Sequence, residues 1–117
     1  GKEHIFMFAP EGWIIGDNVS PEKPSSLYID ALEDSELIIR EKIIEKEKNA
    51  KKLIKRIEVL QKRIIQLMSA SAIERYEDFI ATYPKISQRV SQKMIASYLG
   101  ITPEALSKVK GARIKDS

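Results

Sequence analysis

The sequence predicts an α+β chain, on three observations. Short apolar runs broken by turn residues fill the first 39 residues, a glycine- and proline-free stretch over 43–68 carries a heptad pattern, and the last third is punctuated as a helix–tight turn–helix. At 117 residues, 43% hydrophobic and 32% charged, the composition is that of a folded chain. The absence of cysteine excludes a disulfide framework, a thiolate zinc site and a cysteine nucleophile. The lone histidine, His4, leaves little for a metal centre or for imidazole acid–base chemistry, and no metal or catalytic residue is expected. No run approaches a membrane span and the start does not read as a signal peptide, so a cytoplasmic location is expected.

The first third reads as strands. Ile5-Phe6-Met7-Phe8 is a compact apolar run, Pro10-Glu11-Gly12 a turn, and Trp13-Ile14-Ile15 a second run closed by Gly16-Asp17-Asn18. A Ser- and Pro-rich loop around Pro21 and Pro24 leads to Leu27-Tyr28-Ile29 and, past the acidic segment 30–36, to Leu37-Ile38-Ile39. Four short strands in so few residues suggest part of an all-β unit entered midway.

Over 43–68, Leu53, Ile57, Leu60, Ile64 and Leu67 recur at spacings 4, 3, 4, 3. With Ile57 and Ile64 at a and the leucines at d, the pattern favours a parallel two-stranded coiled coil, and thus a homodimer. A second stripe, Ile54, Ile65, Met68 and Ala72, is expected to pack on the same subunit.

Beyond it, Ser71-Ala72-Ile73-Glu74 has the form of a capping box opening a helix that stops before Pro84. Ser91 is the expected N-cap of a helix over 92–99, and Gly100 its terminator. Thr102 with Pro103 opens the next helix, expected over 103–110 and broken at Gly111. Ala96 is small where two helices must approach, and Gly100 permits positive φ at the turn. This is the pattern of a helix-turn-helix that places its second helix in the major groove of double-stranded DNA. Glu104, Ser107 and Lys108 then face the bases, a carboxylate accepting from cytosine and a lysine donating to guanine. Arg89, Gln92, Lys93, Lys110 and Arg113 are the candidates for phosphate. Charge follows the same division: residues 1–36 carry −6, residues 37–84 +4, and residues 85–117 +5. The alternative is a coiled-coil scaffold whose helical end docks a protein partner without binding DNA.

Taken in order, these segments resemble the Crp/Fnr family of bacterial transcription regulators (the cyclic-AMP receptor protein superfamily). The resemblance rests on Phe8-Ala9-Pro10-Glu11-Gly12-Trp13, on the 29–36 segment, on the heptad helix, on Ser69-Ala70-Ser71-Ala72-Ile73-Glu74-Arg75-Tyr76, and on Ile95-Ala96-Ser97-Tyr98-Leu99-Gly100-Ile101-Thr102-Pro103-Glu104. The last string is similar to a branch common in Bacteroidetes-like bacteria. The resemblance implies the C-terminal part of an effector-binding, cyclic-nucleotide-type β-roll over 1–42, a dimerisation helix over 43–68 and a DNA-binding domain over 69–117. It implies a homodimer on a palindromic operator, with RNA polymerase as a further partner, and it puts Pro103, Glu104 and Lys108 at base-reading positions. The family's phosphate cassette pairs Gly-Glu with Arg-Ser. Here Gly16-Asp17 and Ser25-Ser26 stand in those places as the effector pocket, without an arginine. A cyclic nucleotide held in the usual way is therefore not expected, nor any cofactor. The stretches over 17–24 and 40–52 are shorter than the family pattern, and no hairpin wing follows the last helix.

Overall fold

A computed structural model describes residues 3–17, 19–41 and 50–115. Among the described residues four α-helices form: α1 (Ala50–Ser69), α2 (Ala72–Thr82), α3 (Gln92–Leu99) and α4 (Pro103–Lys115), with a 3-10 turn, Ile86–Gln88, between α2 and α3. The start expected for the long helix, at 43, lies outside the described residues.

No strand forms among the described residues, which overturns the α+β prediction and the β-roll with it. The physical reason is pairing. A strand exists through the ladder it makes with a neighbour, and the four apolar runs of residues 3–41 do not pair with one another. The first finds a helical partner instead. Ile5 N donates to Ser97 Oγ at 2.9 Å, and Phe8 inserts its ring among Phe79, Tyr83 and Tyr98, with centroids 5.6–6.1 Å away. Trp13 lies on Tyr83 at 5.3 Å. Beyond that point Tyr28, Ile38 and Ile39 are exposed.

Helices α2, α3 and α4 pack mutually around one core. Its three fully buried large side chains, Phe79, Ile95 and Leu106, come one from each helix. Local signals set the helix ends. Ser71 Oγ accepts from Glu74 N, and Glu74 Oε2 accepts from Ser71 N at 2.9 Å, closing the capping box. Ser91 Oγ accepts from Met94 N, and Thr102 Oγ1 from Ala105 N. Gly100 ends α3 at φ 71°, the left-handed conformation that glycine adopts without a Cβ penalty. Ala96 is buried where α3 meets its neighbours. Helix α4 does not break at Gly111 but runs on to Lys115. A glycine weakens a helix by about 1 kcal/mol without ending it, and Arg113 Nε anchors the extra turn to Glu77 of α2 at 2.8 Å.

Helix α1 holds no buried residue. It meets the three-helix unit through Arg63, which donates to the Tyr98 carbonyl at 3.0 Å and stacks 3.8 Å over the Tyr98 ring, and through Lys62, 4.0 Å from Asp78 of α2.

Candidate nucleic-acid interface

The turn between α3 and α4 fixes which residues face outward. On α4, Leu106 and Val109, three positions apart, share the buried face, so the exposed residues before and between them mark the free face. Pro103, Glu104, Ser107 and Lys108 are all exposed there, in the first turns of the helix. Thr102 and Pro103 present this end without a proline N–H to satisfy, and Ser107 Oγ donates back to the Pro103 carbonyl at 3.2 Å. Lys108 makes no ion pair among the described residues.

The five phosphate candidates divide. Gln92 and Lys93 occupy the first turn of α3, where unpaired N–H groups and the helix dipole favour an anion. Lys110 of α4 joins them, its Nζ donating to Gln92 Oε1 at 2.9 Å. These three, Lys93 exposed among them, make one basic corner beside the free face of α4. Arg113 is elsewhere: it binds Glu77 and sits 5.7 Å from the Tyr76 ring centre, so its role is to hold α4 on α2.

Arg89 lies just before the Ser91 cap of α3, but its guanidinium is occupied. Nε and NH2 donate to the two Glu33 carboxylate oxygens at 3.0 and 2.7 Å, and NH1 and NH2 to Glu11 at 3.2 and 3.0 Å. Arg89 holds both carboxyls below the usual carboxylate range, and they push the guanidinium still higher. Two carboxylates thus stand where the phosphate was expected.

The four residues placed in an effector pocket form an exposed loop cluster instead. Asp17 Oδ2 accepts from Ser25 Oγ at 2.8 Å, from Ser26 N at 2.9 Å and from Ser26 Oγ at 3.3 Å. The donors that a phosphate would need are turned onto a carboxylate, which they hold below its ordinary value. Gly16 lies beside this cluster and is exposed. The site is electrostatically the inverse of an anion cradle.

On α1, Leu53, Ile57 and Ile64 are 57–61% exposed and form an apolar ridge. Leu60 and Leu67 turn partly inward, toward α2 and α3. The stripe assigned to the subunit's own core is instead outward, with Ile54, Ile65 and Met68 exposed and only Ala72 packed on the core.

Searches of protein-family models, of curated proteins and of solved structures find no match to this chain. Among the described residues no helix is long and apolar enough to cross a membrane, and no group of three or more His, Asp and Glu gathers to hold a metal ion.

Proposed function

We propose that the chain is a sequence-specific, double-stranded-DNA-binding transcription regulator of the Crp/Fnr type, working in the cytoplasm as a homodimer. The observation that carries this reading is the α3–Gly100–α4 unit. A left-handed glycine turn sets two capped helices across each other, and the second presents Glu104, Ser107 and Lys108 on its exposed side. The basic corner of Gln92, Lys93 and Lys110 supplies phosphate contacts that fix register. The ridge on α1 supplies the two-fold partner, and two recognition helices related by a dyad read half-sites about one DNA turn apart.

The test is selection from a random duplex library with the full chain, followed by fluorescence anisotropy on the selected sequence. The expected result is a palindromic site. Lys108→Ala weakens binding there and relaxes specificity at one base pair, at a cost of about 1–3 kcal/mol. Lys93→Ala weakens all sequences alike and lowers the salt slope by about 1. Lys55→Ala, on exposed α1, changes neither. Failure to enrich any sequence, with no salt-dependent affinity, identifies a coiled-coil scaffold instead.

A further inference from the structure

Between α1 and the adjoining faces of α2 and α3 lies an open cleft of about 340 Å³. That volume is at the small end of the range that holds organic ligands. Its walls are mostly carbon: the rings of Phe6, Trp13, Tyr83 and Tyr98 with the side chains of Leu60 and Leu67. Its charge is one-sided. Arg56, Lys62, Arg63 and Arg75 line it against a single carboxylate, Asp78. Asp78 meets Lys62 at 4.0 Å, so none of the three guanidinium groups has a carboxylate within ion-pair distance among the described residues.

The arginines are nonetheless held in place. Arg63 is fixed by the Tyr98 carbonyl and ring. Arg56 and Arg63 both approach the Phe6 ring, 5.9 and 5.8 Å from its centre, which keeps both cations at one aromatic wall of the cleft. Arg75 donates from NH1 to the Leu99 carbonyl at 2.8 Å, while its Nε is buried and lacks an acceptor. A buried guanidinium N–H without a partner is costly. Burial, with Tyr98 adjacent, pushes the Tyr83 phenol up to about 12, so it remains a neutral hydroxyl and adds no negative charge. Clustered guanidinium groups fit the two oxygens of a carboxylate, and ring-lined walls fit a flat carbon body.

We propose that this cleft is a binding site for a small planar aromatic carboxylate of one or two rings, its carboxylate on the arginines and its ring among Phe6, Trp13 and Tyr83. The site is distinct from the Asp17–Ser25–Ser26 cluster and from the α4 face.

The test uses the full chain and 1-naphthoate as probe, with 1-naphthamide as the uncharged isostere. Trp13 is the chain's only tryptophan, so a single indole N–H resonance reports on the cleft while calorimetry reports affinity. Saturable binding of 1-naphthoate that shifts the Trp13 indole signal is expected, at least tenfold weaker for 1-naphthamide. Arg56→Gln, which removes a side chain with no hydrogen bond to the described residues, is expected to weaken naphthoate tenfold or more at unchanged melting temperature. Arg63→Gln is expected to act in the same direction, and Lys108→Ala to leave binding unchanged. No saturable binding at millimolar probe, equal affinity for the amide, or an unaltered Arg56→Gln affinity each overturns the proposal.

Discussion

The Arg89 guanidinium and the Glu33 carboxylate are joined by two hydrogen bonds, 3.0 and 2.7 Å long, across 56 positions of sequence. With Glu11 adding two more, the acidic first third closes onto the basic last third at the entrance to α3. The ion pairs are at the surface, so their effect on stability is small and salt-sensitive. Their effect on an anion site is larger, because phosphate and carboxylate compete for the same donors. Glu11→Gln combined with Glu33→Gln is expected to free Arg89, tighten DNA binding and steepen its salt slope by about 0.9. Equal slopes for the variant and the parent chain refute the competition.

The same cluster sets a pH dependence. Both carboxyls are lowered by Arg89, so the tether is fully present above the ordinary glutamate range and is lost as pH falls through the depressed values. The Arg89 Nε–H resonance is expected to hold its position from neutral pH down to about 4.3, the ordinary glutamate value, and to move below it. In the doubly substituted chain that movement is absent.

The three-helix core rests on one large side chain from each helix. Phe79→Ala is expected to cost about 3–5 kcal/mol, and Leu106→Ala about 2–5 kcal/mol, in chemical denaturation. Ser71→Ala, which opens the capping box at an exposed helix end, is expected to cost about 1 kcal/mol. A core cost no greater than the cap cost contradicts the packing described here.

The caps and the core were legible because their causes are local. Ser71, Ser91, Gly100, Thr102 and Pro103 act on groups within a few residues, and the spacing of Ile95, Leu99, Leu106 and Val109 encodes a face. The fate of the four apolar runs was not legible, and they were misread as strands, because apolar composition states that a run wants burial and not what will bury it. Phe8 is buried among helical aromatics rather than in a sheet. The engagement of Arg89 was equally hidden, since its partners lie 56 and 78 positions away with no periodicity to link them. The cleft had a partial signal: Arg56 and Arg63 are one heptad apart, on the flank of the apolar seam.

Two glycines are expected to respond in opposite directions. At Gly100 an added Cβ meets Leu67 Cδ2 at 3.5 Å, ordinary contact, so the cost of Gly100→Ala is that of the left-handed backbone, about 1–2 kcal/mol. Gly100→Asn is expected to cost less, since asparagine tolerates that conformation. Gly111 is helical, and its added Cβ meets nothing within 4 Å. Gly111→Ala is expected to stabilise by about 1 kcal/mol. Thermal melts of the three variants check the order, and destabilisation by Gly111→Ala contradicts a helical Gly111.

Helix α1 poses a question of what keeps it folded. Twenty residues make a rod about 30 Å long, and a helix that buries nothing is marginal in water. Leu60, Leu67 and the stacked Arg63 hold one side against the three-helix unit, but Leu53, Ile57 and Ile64 project from the other. A second copy docking along that ridge removes it from water at the heptad spacing two helices share. Sedimentation equilibrium is therefore expected to find a dimer, with helical signal falling on dilution. Ile57→Asp with Ile64→Asp is expected to yield a monomer whose three-helix core melts as before, because neither residue contributes to that core. Leu60→Ala is expected to disturb dimerisation less than the paired aspartates do, because Leu60 lies on the cleft side. A chain that remains monomeric at high micromolar concentration leaves the ridge without a second copy and removes the two-fold basis of the operator reading.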